Sequence, residues 1–150
     1  MRGRGLRVVG FLMAGAALLA VIGSFLPWAE ALGGLVQKNG TEGDGAITLI
    51  LALIGGGLSL AVALGRRRRT AIWTGLGVFA CGSLIAAVAA YDLADLNHII
   101  EETSREENLF DPGLSAGTGL YLTLVAGIAM ALISIVAVLT ARDKSVTIQQ

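Results

Sequence analysis

The 150-residue sequence has little of the chemistry on which most enzymes depend. It contains one cysteine, Cys81, and one histidine, His98, and it has no P-loop, no nucleophile elbow and no His-Glu-x-x-His motif. A single cysteine excludes an intrachain disulfide, and one histidine cannot supply two haem ligands. We therefore predict a protein that is not an enzyme, carries no cofactor and has no nucleic-acid partner.

Charge is also scarce, at 15% of residues against the roughly 25% of a soluble domain, while 55% of residues are hydrophobic. Four runs contain no Asp, Glu, Lys, Arg or His: 8–26, 46–65, 71–91 and 119–140. Each holds about 20 residues, which is enough for an α-helix to cross the hydrocarbon core. The first run also exceeds the length of a signal-peptide core. The sequence predicts a single-domain, all-α integral membrane four-helix bundle over residues 1–150.

The charges that exist are segregated between the two ends of these spans. Nine of the eleven basic residues fall on one side, and only Lys38 and Arg105 fall on the other. The positive-inside rule then places both termini in the cytoplasm of a multi-pass cell (inner) membrane protein. Ten of the eleven acidic residues lie on the outer side.

The link between the second and third spans is a short basic run, Arg66, Arg67, Arg68 and Arg69. A link of this length forces the two spans into an antiparallel hairpin. The four guanidinium groups are candidates for binding anionic lipid head groups, which makes membrane lipids a predicted partner. A purely topogenic anchor is the other interpretation of the same run.

The two halves of the chain share a pattern at an offset of about 75 residues. Gly43-Asp44-Gly45 and Gly117-Thr118-Gly119 precede the second and fourth spans, Thr48 matches Thr123, and Ser59 matches Ser134. Two hairpins of the same orientation would be parallel repeats about an axis along the membrane normal. A duplicated hairpin and a chance match between Gly- and Ala-rich segments both explain the pattern.

Every span has small residues spaced four apart, which places them on one helix face. The positions singled out for helix packing are Ala16, Ala20, Gly57, Ala61, Gly82, Ala86, Gly127 and Ala131. Because lipid tails are as apolar as leucine, close backbone approach at small residues is what drives helix association in a bilayer. These faces serve either the bundle itself or contact with a second copy or a larger membrane partner.

The outer segment 92–107 has apolar residues at helical spacing and acidic residues opposite them. It is predicted to be an amphipathic helix that continues from the third span or lies on the outer surface. Asp95, His98 and Glu102 fall on one face of it, and these are metal-ligand types. A solvated acidic face is the plainer interpretation.

Two short patterns carry a resemblance to known proteins: Phe25-Leu26-Pro27-Trp28 after the first span, and Gly117-Thr118-Gly119-Leu120-Tyr121 entering the fourth. Together they resemble uncharacterised small four-span membrane proteins of high-GC Gram-positive bacteria, which implies a four-span fold and no particular activity. The topology is also similar to that of claudins and tetraspanins, by architectural analogy only.

Three functions fit these features. The first is an accessory or scaffold protein that packs through its small-residue faces against itself, as a homo-oligomer, or against a larger membrane complex. The second is a small oligomeric channel whose acidic mouth attracts cations and whose pore is lined by Thr48 and Ser59, or by Thr123 and Ser134. The third is a lipid or small-molecule binder with a cavity between the hairpins.

Overall fold

The computed structural model describes residues 4–65, 68–105 and 113–146, most of them in four long α-helices. These are α1 (Arg4–Phe25), α2 (Gly45–Leu64), α3 (Arg68–Arg105) and α4 (Thr118–Val146). Each contains a stretch long and apolar enough to cross a membrane: Gly5–Phe25, Gly45–Leu64, Thr70–Glu102 and Thr118–Arg142. The chain therefore has the architecture of a multi-pass membrane protein.

The helices form a closed bundle in which each packs against the next and α4 returns to α1. Met13, Val78, Ile85 and Met130 are fully buried and fill its centre, and most other apolar core positions hold alanine. Leucine and isoleucine instead stand on the outer surface of every helix, joined by phenylalanine on α1 and α3. Such a surface is too apolar for water, but it is well solvated by lipid.

The longest helix, α3, has 38 residues and runs without a break from Arg68 to Arg105. At 1.5 Å per residue it is about 57 Å long, nearly twice the roughly 30 Å hydrocarbon core. A helix of this length therefore extends past the hydrocarbon core at one end or at both. The amphipathic segment predicted at 92–107 continues from the span, and residues 106 and 107 lie outside the described residues.

A small sheet at one end of the bundle, which the sequence did not predict, joins the segment between α1 and α2 to the segment just before α4. It consists of β1 (Pro27–Ala31), β2 (Val36–Asn39) and β3 (Ser115–Ala116), antiparallel in the order β2-β1-β3. Proline has no N–H for a helix and restrains the residue before it, so α1 ends at Phe25. Gly34, with φ of 91°, makes the turn between β1 and β2.

The bundle has two chemically distinct ends. The basic end carries Arg7 at the start of α1, Arg142 near the end of α4, and the link between α2 and α3. The acidic end carries Asp44 before α2 and Asp92 on α3, together with the small sheet. These two names are used below.

Candidate functional site

A close contact between α3 and α4 uses four of the predicted packing residues. A Cβ atom on Gly82 would lie 2.8 Å from the backbone nitrogen of Ala131 and 2.9 Å from the carbonyl oxygen of Gly127. A Cβ on Gly127 would lie 2.7 Å from the backbone nitrogen of Ala86. The two helix backbones thus meet with no side chain between them, which is the closest form of packing available in a bilayer.

Helix α1 contacts both of its neighbours in the same manner. Ala16 and Ala20 are buried. A Cβ on Gly10 would lie 2.6 Å from the backbone nitrogen of Ala63 in α2, and one on Gly23 would lie 3.0 Å from that of Thr123 in α4. Sequence reasoning missed Gly10 and Gly23. Glycine inside a helix costs about 1 kcal/mol relative to alanine, so its presence there was the signal of close contact.

One set of small residues lies on the outside of the molecule. Gly57, Ala61 and Gly65, here called the open stripe, are spaced four apart along α2 and just past its end, and all three are exposed. A Cβ on Gly57 would have no neighbour within 4 Å outside its own helix. The opposite face of α2, which includes Thr48, Gly55 and Ser59, is buried. The described chain therefore leaves the open stripe unused.

The four hydroxyl residues matched between the two halves are all buried, although the members of each matched pair differ in their hydrogen bonds. Thr48 and Ser134 donate to carbonyl oxygens three residues earlier, at 2.9 and 2.6 Å. Ser59 and Thr123 donate to those four residues earlier, at 2.7 and 2.8 Å. Each hydroxyl is therefore satisfied by its own helix and faces the bundle interior rather than an outer surface where copies could meet around a pore.

Trp28 closes the acidic end of the bundle. Its position in the sequence predicts that Trp28 belongs, with Tyr91, Tyr121 and Trp73, to an interfacial aromatic belt. Its side chain is instead buried, and the Nε1–H donates to the carbonyl oxygen of Gly23 at 3.0 Å. It packs with Leu120 and Ala89 against Leu93 and Leu96 of α3. Gly40 contacts the indole directly, and the N–H of Gly117 donates to the Trp28 carbonyl at 2.8 Å.

Two carboxyl groups meet at the acidic end. The Asp92 side chain is hydrogen-bonded to that of Asp44, which precedes the first residue of the α2 span and so lies outside the membrane. Asp95 and Lys38 are also close enough to interact electrostatically with Asp92. An ionised carboxylate can only accept, so this hydrogen bond requires a proton on the pair.

The predicted metal ligands do not form a site in the described part of the chain. His98 Nδ1 lies 3.7 Å from Glu102 Oε2, and both side chains are exposed. Among residues 4–65, 68–105 and 113–146, no three side chains of His, Cys, Asp or Glu converge in a way that could hold a metal ion. The spacing of Asp95, His98 and Glu102 therefore has no geometric support there beyond a solvated acidic face.

Only part of the basic end lies within the described residues. Arg66 and Arg67 lie outside the described residues, and the backbones of Arg68 and Arg69 form the first turn of α3. Arg142 is exposed near the end of α4. Because α3 and α4 are antiparallel and Gly75 contacts Val138, the backbone of Arg69 lies near the level of Arg142. The basic link and α4 thus bring positive charge to one edge of the bundle.

Comparison with models of known protein families gives no match, and no curated protein sequence matches the chain.

Proposed function

We propose that the chain is a non-enzymatic accessory protein of the cell membrane, which packs sideways against a helix of another membrane chain through the open stripe of α2. The observation that carries this proposal is the unoccupied space at Gly57, where a Cβ would meet nothing within 4 Å. The partner helix would itself present small residues, because that is what close approach in lipid requires.

The contrast with the other small residues supports this proposal. Gly10, Gly23, Gly82 and Gly127 each lie within about 3 Å of a neighbouring backbone at the position of a missing Cβ. Their cost to helix stability is offset by contacts inside the chain. Gly57 has no such contact within the described residues, and unlike Gly15, which also meets nothing within 4 Å, it lies in a row with Ala61 and Gly65. Contact with another chain along this row would offset the cost at Gly57.

The open stripe also has the dimensions of a helix contact. Gly57 and Gly65 are eight residues apart, which is about 12 Å along a helix axis, or two turns. The glycines and Ala61 leave a shallow track that continues the row of Leu53, with the exposed side chains of Leu60 and Leu64 along one side. A second helix could lie in this track with its backbone close to that of α2, as at the contact of α3 with α4.

The segregation of charge supports an orientation for this assembly. Arg7 and Arg142 lie at the same end as the link between α2 and α3, whereas Asp44 and Asp92 lie at the other. By the positive-inside rule the basic end, with both chain termini, faces the cytoplasm. A partner would then meet the small sheet and the end of α3 outside the membrane.

Substitution of Gly57 by leucine tests the open stripe. We expect Gly57→Leu to fold normally, since no neighbour is displaced and leucine favours the helix. We expect it to weaken lateral association by roughly tenfold or more, because the branched side chain holds the two backbones apart. The measurements are copurification from native membranes in mild detergent and energy transfer between labelled copies in vesicles.

Gly15→Leu is the matched control. Gly15 lies mid-helix in α1, and a Cβ there would also meet nothing within 4 Å, but it is flanked four residues away by Phe11 and Leu19 rather than by small residues. The control should associate like the wild type. A wild-type protein that stays solitary in both measurements, or an equal loss of association in both variants, would contradict the proposal. Energy transfer without a copurified partner would identify a second copy as the partner.

A further inference from the structure

A narrow groove runs along the lipid-facing side of the contact between α3 and α4, in the half of the bundle nearer the basic end. Its cavity volume is about 220 Å³. The lining is apolar, apart from Ser134 and one charged group: Leu76 and Phe79 come from α3, Ile135, Val138 and Leu139 come from α4, and Arg142 stands at the basic end.

Small residues explain why a groove forms there. The missing side chain of Gly75 lets α3 approach α4, since a Cβ on Gly75 would lie 2.9 Å from Val138 Cγ2. Leu76 and Phe79 stand on the lipid side of this contact and are only partly covered. Ile135 and Leu139 face them across the gap and are also partly exposed. The groove is therefore open sideways, toward the lipid.

The dimensions of the groove suit one hydrocarbon chain. From Ser134 to Arg142 is eight residues, or about 12 Å along α4. The cavity volume of about 220 Å³ is a small fraction of the roughly 1,000 Å³ that a helix of the same length occupies. Packed hydrocarbon carbons lie about 4 Å apart, whereas a helix with its side chains is about 10–12 Å across. A protein helix would therefore not enter the groove.

The positive charge of Arg142, at the end of the groove, selects an anionic lipid head group. Arginine presents a planar fork of N–H donors that binds phosphate oxygens, and one guanidinium can serve more than one acceptor. Basic pockets between membrane helices on the cytoplasmic side bind anionic lipid head groups.

We propose that this groove is a binding site for an anionic phospholipid, with one acyl chain between α3 and α4 and the phosphate on the guanidinium of Arg142. The site lies on α3 and α4, away from the open stripe of α2, and does not rest on the function proposed above. Lipid binding at this site requires both the apolar groove and the cation of Arg142, and a substitution can remove either one while leaving the other in place.

The test is native mass spectrometry and lipid titration of the full chain in nanodiscs that contain phosphatidylglycerol and phosphatidylcholine. We expect the wild type to retain one phosphatidylglycerol in preference to phosphatidylcholine. Arg142→Gln should raise the Kd for phosphatidylglycerol about fivefold, as loss of one arginine near an anionic head group implies, and leave phosphatidylcholine unaffected. Ile135→Trp, which fills the groove and keeps the charge, should weaken the binding of both lipids.

Two control variants separate this site from general effects. Arg7→Gln removes the same charge at the basic end from α1, and Leu132→Trp adds the same indole to an exposed position of α4 that does not line the groove. Both should retain the lipid as the wild type does. Equal loss in Arg7→Gln, unchanged binding in Ile135→Trp, or displacement of the lipid by inorganic phosphate alone would overturn the proposal.

Discussion

Replacing Gly82 with leucine is expected to abolish the folded bundle. The first added carbon would already lie 2.8 Å from the backbone nitrogen of Ala131 and 2.9 Å from the carbonyl oxygen of Gly127. Backbone atoms cannot move aside as a flexible side chain can, so the α3–α4 contact would have to open along its length. Even Gly82→Ala should lower the free energy of unfolding by about 1–3 kcal/mol, the usual cost of overpacking.

The measurement is unfolding in mixed micelles, followed by loss of helix signal or by protease susceptibility. Gly57→Leu serves as the matched control, because it makes the same chemical change in a membrane helix at a position with no neighbour within 4 Å. It should unfold at or slightly above the wild-type midpoint. A Gly82→Leu protein as stable as Gly57→Leu would mean that α3 and α4 are not packed through Gly82.

Replacing Trp28 with alanine should have the second-largest effect on stability. The indole is 6% exposed and fills the space between β1 and the outer ends of α3 and α4. Its removal leaves a cavity of aromatic size and takes away one of the two hydrogen bonds to the carbonyl oxygen of Gly23, so we expect a loss of about 3–5 kcal/mol. The sheet that it anchors should become susceptible to protease before the helices do.

Trp73→Ala is the control for this substitution, since Trp73 is 68% exposed on α3. It should change the free energy of unfolding by less than about 1 kcal/mol, as surface substitutions away from packed features do. Trp28→Phe restores the ring but not the N–H donor, and should recover most of the stability. Equal effects of Trp28→Ala and Trp73→Ala would contradict the buried position of Trp28.

The helices and their chemistry could be predicted from local features of the sequence. A run such as 46–65, with no charge over about 20 residues, has one stable form in lipid, because its backbone groups can be satisfied only within a helix or a closed barrel. Pro27 similarly ends α1 by its own covalent structure. Such conclusions need no knowledge of the neighbours, and they describe four helices at nearly the positions that the structure shows.

The outer sheet escaped prediction because its strands are short and its pairing is not local. β3 has two residues and pairs with β1, nearly 90 positions earlier in the chain. Gly40 and Gly117 each make room for Trp28 or for the strand beside it. Only the folded bundle brings these glycines and the indole to the same place.

Although it left open whether segment 92–107 continues the third span, as α3 does to Arg105, the sequence by itself determined where four runs can cross a membrane and how charge divides between their two ends. These properties follow from composition and periodicity along the chain. The tertiary structure decided the use of each small residue: Gly82 and Gly127 lie inside, while Gly57 is left open. It also formed the groove at Arg142 and the carboxyl pair of Asp44 and Asp92. The physical reason is that a helix face acquires its role from the rotation and register of its neighbours, which residue spacing within one helix does not specify.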